Sequence, residues 1–303
     1  EVFHLASLLP FLIAIVLTLK VVWKEFGTEA AVIMLTLMTL TENALTYNVE
    51  VRMYSWAALF IYVSFLAMYR ILTHNEKKAY VVFSVFTLLA AYTHYFALLS
   101  VAFFYLFLIG WALWKRKECF KRVAIVCVMA VVVYMPWFIV LLRTMARTKD
   151  EFWMSFIPYI KDCVAYIFAG KWGLVWFAIM CLMLGFALWH QRKNIRNMAW
   201  LLSGLFAVLG TIVAGNLISR FFKPIFIVRY MYPVTIVAWL LLAVAVSYCK
   251  YKKVYAAVIT IALLAIGLPM YKQQVQAESL DNQKLLYTLE QTAGAQEEGS
   301  VLL

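Results

Sequence analysis

An all-α, polytopic transmembrane bundle is the fold class this sequence predicts, and three observations predict it. The 303 residues are 66% hydrophobic and 14% charged, with a mean hydropathy of +0.86, whereas soluble domains are roughly half apolar and a quarter charged. The apolar residues fall in runs of the roughly 17–25 residues that a helix needs to cross a bilayer. The net charge is +12, but the 27 basic residues come in short clusters between those runs. Nucleic-acid binding needs cations gathered on one solvated face, so this pattern speaks of membrane topology and no nucleic-acid partner is expected.

Ten spans are read from the apolar runs, near residues 5–23, 29–48, 53–72, 79–93, 96–114, 123–142, 172–190, 198–217, 231–249 and 254–270. The fourth and fifth are separated only by Thr93, His94 and Tyr95. Two spans there, rather than one interrupted element, make the loops alternate so that one side receives 16 of the 27 basic residues against four acids. By the positive-inside rule that side is cytoplasmic. The first, second and third spans then carry Lys20, Lys24, Arg70, Lys77 and Lys78 inside; "KRKECFKR", "QRKNIR" and "KYKK" follow on the same side.

Outside fall "YNVEVRMY", "THY", the 143–171 loop, "SRFFKPIFIVRYMYP" and the polar tail. Within the 143–171 loop, "FIPYIKDCVAYIFAG" has apolar residues at helical spacing and is too short and polar to span, so an amphipathic helix lying in the interface is expected. Residues 1–271 read as the transmembrane domain and 272–303 as the start of a truncated extracytoplasmic segment. Because the chain opens on Glu1 and stops in a polar run, it reads as a fragment. The five cysteines show neither a C-x-x-C pair nor metal-ligand spacing, so no disulfide framework or zinc site is expected.

Several polar groups in this apolar chain ask for an explanation. Glu50, Arg52 and Tyr54 would split between helix faces but point alike in an extended turn. One reading makes them interfacial anchors; the other gives Arg52 to a phosphate, as a bidentate donor, with Glu50 orienting it or handling a proton. Glu42 falls within the second span, where a carboxylate needs a partner or a wet cavity, so it is either cavity-facing or a polar contact between helices. His94 and Tyr95 emerge on the same side as Arg52, as anchor and cap or as site residues. Arg220, Lys223 and Arg229 break the positive-inside trend. They either hold lipid head groups or bind an anionic ligand, best a lipid-linked phosphate whose tail stays in the bilayer.

Four stretches together carry a resemblance: "HLASLLPFLIAIVLTLKVVWKEFG", "YNVEVRMYSW", "AAYTHYFALL" and "VRYMYP", in order over about residues 4–235. They are similar to segments of the membrane glycosyltransferases of the GT-C superfamily, in particular the bacterial family related to protein O-mannosyltransferases and lipid A aminoarabinose transferases. The most specific pair is E-x-R-M-Y followed by Y-T-H-Y. The resemblance implies a GT-C-like fold in a bacterial cytoplasmic (inner) membrane. It also implies inverting transfer of a sugar from a polyprenyl-phosphate carrier to a lipid, glycan or protein acceptor at the outer face. The donor is the polyprenyl-phosphate sugar, no other cofactor is assigned, and a divalent-metal requirement is left open.

On that resemblance Arg52, Arg220, Lys223 and Arg229 bind the carrier phosphate, while Glu50, Tyr54, His94 and Tyr95 serve the acceptor side or orient the arginines. Glu42 is a further cavity candidate. The family's first helix and the outer loop bearing its acidic motif have no counterpart in this sequence, so the catalytic base is expected before Glu1. The alternative reading is a transporter or flippase of lipid-linked saccharides, which needs charges along a path open to both sides. Glu42 is the one acid placed within a span.

Overall fold

A computed structural model describes residues 2–115, 117–147, 157–168, 172–221 and 225–294. Among them every regular element is helical. Eight helices are long and apolar enough to cross a membrane; two more of the expected spans are shorter helices, of 13 and 17 residues.

The chain enters through α1 (Val2–Leu17), passes a π-helical turn at Thr18–Val22 and leaves through α2 (Trp23–Phe26). Thr18 closes that turn inside the bundle, its hydroxyl 2.9 Å from the Ala14 carbonyl and 2.8 Å from the Tyr62 hydroxyl. Gly27, at φ 93°, reverses the chain into α3 (Thr28–Leu40), a backbone state that glycine enters without a Cβ penalty. The expected 29–48 span is not one helix. Thr41 is extended, at ψ 144°, and caps a separate α4 (Glu42–Tyr47) by accepting from the Ala44 N–H. Its side chain thereby offers the backbone an alternative to helix, as threonine does at N-caps.

After a turn over 48–53 come α5 (Tyr54–His74), α6 (Lys77–Thr93) and α7 (Tyr95–Trp114). The break expected between the fourth and fifth spans is a single residue: His94 is extended, at φ −156° and ψ 134°, and its Nδ1 accepts the Phe96 N–H as the N-cap of α7. The following α8 (Lys117–Arg147) has no charge from Val123 to Leu142, a stretch about as long as the hydrocarbon core is thick. α9 (Ile160–Tyr166), α10 (Gly173–His190), α11 (Ile195–Phe221), a 3-10 turn at Val228–Met231, α12 (Tyr232–Ser247) and α13 (Lys252–Gly294) complete the order.

The core lies around α5 and α12. Tyr232 to Val246 of α12 are all buried, as fits a helix that is apolar on every side. Beside them Trp200 stacks on Phe65 at 4.7 Å between ring centres and donates its indole N–H to the Phe65 carbonyl at 3.0 Å. α8 and α13 are peripheral, and Val128, Val131 and Val132 are left wide open. Such apolar exposure on a helix of this length is met by lipid.

The interfacial helix is more deeply docked than its sequence predicts. α9 presents Cys163 and Ile167, four residues apart, to the bundle while Tyr159 and Ile160 stay exposed. It is fixed by Trp239, which donates to the Ile167 carbonyl at 2.8 Å, and by Asn43, which donates to the Tyr166 carbonyl. Residues 148–156 and 169–171 of that loop lie outside the described residues. The polar segment from residue 272 runs on to Gly294 as a continuation of α13, with no break after residue 271.

Loops assigned to one side from sequence do meet at one end of the bundle. Arg70 pairs with Glu25 at 2.6 Å, Lys252 with Glu29 at 3.4 Å, Arg122 with the Asn75 side-chain oxygen at 3.0 Å, and Arg196 with the Thr73 carbonyl at 2.9 Å. The opposite end gathers α4, the 48–53 turn, His94, α9 and the Val228–Met231 turn.

Candidate functional site

At that opposite end the 48–53 turn lets Glu50 and Arg52 face the same way. Arg52 Nε lies 2.9 Å from Glu50 Oε1, with both side chains partly exposed. Tyr54, two residues on, is instead buried as the first residue of α5. Its ring packs against His94 at 5.5 Å and Tyr47 at 5.2 Å, and Tyr47 in turn meets Tyr232 at 4.9 Å. Tyr232 donates its hydroxyl to Asn48 Oδ1 at 2.8 Å, which ties the start of the 48–53 turn to α12.

The Val228–Met231 turn brings Arg229 and Tyr230 to the same place. Tyr230 lies 5.1 Å from the His94 ring and 5.1 Å from Phe96, and Phe96 stacks on Phe226 at 5.0 Å. The backbone N–H of Phe226 is held by Ser219 Oγ at 2.8 Å, which fixes the chain leading into the turn. Both Arg229 and Arg52 act electrostatically on the Tyr54 phenol.

These residues enclose a cavity of about 480 Å³, lined by Arg52, Tyr54, His94, Tyr95 and Arg229 among others. Its size is that of small-molecule sites, about 300–1,000 Å³. The two guanidinium groups differ in state. Arg52 has the Glu50 carboxylate; among the described residues Arg229 has no ion pair, and its buried Nε has no hydrogen-bond partner. An unsatisfied buried donor on a charged group costs free energy in the empty protein, and an anion entering the cavity would remove that cost.

His94 adds a donor of known sense. Its Nδ1 accepts the Phe96 N–H at 3.1 Å, so in the neutral ring the proton sits on Nε2. Burial first, and the Arg229 cation second, push the imidazole down to about 4. The ring at neutral pH is therefore an uncharged hydrogen-bond donor. Among the described residues no Asp or Glu lines the cavity, and no three His, Cys, Asp or Glu side chains are placed to hold a metal ion.

The structure thus brings together Arg52, Tyr54, His94, Tyr95 and Arg229, with Glu50 one contact away through Arg52. Arg220 does not join them; it is exposed at the end of α11. Lys223 lies outside the described residues. Glu42 opens into a different cavity, bounded by α3, α10 and α13. Tyr92, Trp137, Leu141, Thr144 and Tyr230 also line the first cavity and were not singled out from sequence. Trp137, Leu141 and Thr144 recur at i, i+4 and i+7 on α8, a one-face pattern hidden in a run that is apolar throughout. No family model, no curated protein and no solved structure matches this chain.

Proposed function

We propose that this multi-pass membrane protein is a GT-C-type glycosyltransferase. It takes a sugar from a polyprenyl-phosphate carrier and passes it to a lipid, glycan or protein acceptor at the outer face of a bacterial inner membrane. The observation that carries this reading is Arg229: a guanidinium with no ion pair among the described residues and a buried Nε without a partner there, in one cavity with Arg52 and the N–H-bearing side of His94. The motif resemblance and the basic loops gathered at the opposite end support the same assignment.

In such a transfer the bond between the anomeric carbon and the phosphate oxygen breaks, and the leaving lipid phosphate gains negative charge. Preorganised cations and donors aimed at that charge stabilise the transition state more than the ground state. Arg229 is the principal phosphate ligand in this reading. Arg52, held in register by Glu50, is the second, and His94 donates from Nε2. With no carboxylate among the described residues of its lining, the cavity is the leaving-group half of the site. Activation of the acceptor belongs to a residue outside this lining.

The test is transfer of label from a polyprenyl-phosphate sugar by purified full-length protein in proteoliposomes. Arg229→Ala and Arg52→Ala should abolish or sharply reduce transfer while insertion and expression persist. Undiminished transfer in Arg229→Ala would overturn the phosphate role. Label crossing the bilayer without reaching a new acceptor would favour a flippase.

A further inference from the structure

We infer that a second ligand site, for the phosphate head group of an anionic phospholipid, lies at the end of the bundle opposite the Arg229 cavity. The inference does not rest on the transferase reading. A cavity of about 610 Å³ opens there between the end of α5 and the turn that joins α10 to α11, with Lys193 and Arg196 as the cations of its wall. Among the described residues no Asp or Glu lines it. Two acids of this end are already matched, Glu25 with Arg70 and Glu29 with Lys252.

Backbone and amide bonds place the two cations. In the turn, the Asn194 N–H donates to the Gln191 carbonyl at 2.7 Å, and Asn194 Oδ1 accepts the Asn197 N–H at 3.3 Å at the head of α11. The Asn197 amide reaches back to Gln191 Oε1 at 3.2 Å and to the Tyr248 hydroxyl at 3.4 Å, so Lys193 is carried on a fixed turn. Arg196 donates from one Nη to the Thr73 carbonyl at 2.9 Å, one of the last carbonyls of α5, which a helix leaves unpaired. Its other donors, and the Lys193 ammonium, have no hydrogen bond or ion pair among the described residues. At the rim the Thr73 hydroxyl donates to the Tyr69 carbonyl at 2.6 Å and so accepts from His74 Nδ1 at 2.7 Å. His74 Nε2 is thereby left open to a head-group hydroxyl.

Two positioned cations with no acid beside them suit a phosphate, whose oxygens take charge-assisted bonds from a guanidinium and an ammonium alike. The level of the cavity decides where that phosphate comes from. Trp189 and Trp114, in the last turns of α10 and α7, are 71% and 76% exposed, and Arg192 and Lys115 lie over their rings at 4.3 and 4.1 Å. Exposed tryptophans at the ends of apolar helices mark the level of the lipid head groups. Lys193 is four residues past Trp189, and the exposed Ile195 gives the cavity an apolar edge. A basic pocket between helices at this level is matched by an anionic head group.

The experiment strips the detergent-purified chain of lipid, adds back dioleoylphosphatidylglycerol or dioleoylphosphatidylcholine, and measures the lipid retained by native mass spectrometry. One phosphatidylglycerol should bind more tightly than phosphatidylcholine. Lys193→Gln should weaken it about fivefold, and Lys193→Gln combined with Arg196→Gln about twentyfold, as expected for one and two cations at a membrane surface. Lys115→Gln and Lys250→Gln remove cations of the same end that do not line the cavity, and should leave the affinity unchanged, as should Arg229→Ala. Lys193 makes no bond within the described protein, so its variant should keep the parent's thermal-unfolding midpoint and serve as the folded test. Equal phosphatidylglycerol affinity in parent and folded Lys193→Gln overturns the proposal, as does equal affinity for the two lipids. Equal losses in the Lys115 and Lys250 variants overturn it by showing diffuse surface charge, and a loss in Arg229→Ala by placing the lipid in the other cavity. Glycerol 1-phosphate that binds as tightly as the lipid makes free phosphate the ligand and overturns the lipid assignment. Failure of the transferase reading would appear instead as undiminished sugar transfer in the Arg229 variant.

Discussion

His94 Nδ1 accepts the backbone N–H of Phe96 at 3.1 Å, and this one bond sets both the start of α7 and the chemistry open to the imidazole. Replacing the cap should destabilise the protein by about 0.5–2 kcal/mol, with loss of the ring contacts to Tyr54 and Tyr230 adding to it. His94→Asn retains a capping oxygen and should recover part of the lost thermal stability relative to His94→Ala, yet recover none of the phosphate affinity. Unfolding midpoints and binding of a short polyprenyl phosphate, measured on both variants, separate the two roles.

The same residue predicts a pH dependence. Its folded state holds the ring near a pKa of about 4, below the ordinary 6.5, so between those values the unfolded chain binds more protons. Stability should therefore rise with pH across that window and fall as pH drops from about 6.5 towards 4. His94→Asn should flatten the slope. An identical pH profile for parent and variant would show that the ring stays solvated.

Arg229 and Arg52 line one cavity but should answer differently to removal. Arg229→Ala deletes a partly buried cation that no described residue pairs and whose Nε is unsatisfied, so the ligand-free protein should be as stable as the parent or more so. Its phosphate affinity should nonetheless drop by about tenfold or more, since hydrogen bonds to charged groups are worth roughly 1.5–3 kcal/mol. Arg52→Ala breaks a part-exposed pair with Glu50, worth about 0–1 kcal/mol, and should lose less affinity. Titration of each variant with geranylgeranyl phosphate, beside its melting curve, checks the ranking.

How much of this was legible in the sequence depends on whether backbone or partner choice decides the feature. Eight of the ten expected spans were legible because apolar length is a one-dimensional signal, and so was the break at His94, through the parity of the basic loops. The kink at Thr41 was not: "MTLTENALTY" is continuous in hydropathy with the span before it, and only the side-chain cap marks the break. Arg52 reads as the leading phosphate ligand from its motif, yet in the proposed site Arg229 takes precedence, because Glu50 is close enough to occupy Arg52 while no described acid pairs with Arg229. Trp137 on α8 lay hidden because a helix apolar on every face carries no periodic mark of which face is buried.

Close helix approaches give a stability prediction that does not depend on function. A Cβ at Gly173 would fall 1.9 Å from the Ala165 carbonyl oxygen, and backbone cannot rotate away as a side chain can. Gly173→Ala should part α9 from α10, destabilising the protein by more than the roughly 1–3 kcal/mol typical of overpacking. Gly110 and Gly185 have nothing within 4 Å of the added atom. At those helical positions alanine should be neutral or stabilising by up to about 1 kcal/mol. Melting curves of the three single variants test the contrast.

The sidedness of the candidate site is open to direct chemical test. The structure joins Glu25 to Arg70, and Arg122 to Asn75, at one end of the bundle, while Glu50 and His94 lie at the other. Positive charge in short loops is retained on the cytoplasmic side, so single cysteines placed at Lys78 and Lys193 in a cysteine-free background should be shielded from an impermeant maleimide in intact cells. Cysteines at Glu50 and Tyr95 should react. Glu50 and Lys78 flank α5 on opposite sides, so reaction at both or at neither would mean that α5 does not cross the bilayer. Reaction at Lys78 and Lys193 alone would invert the topology and turn the Arg229 cavity towards the cytoplasm, where a nucleotide-linked donor rather than a carrier lipid could reach it.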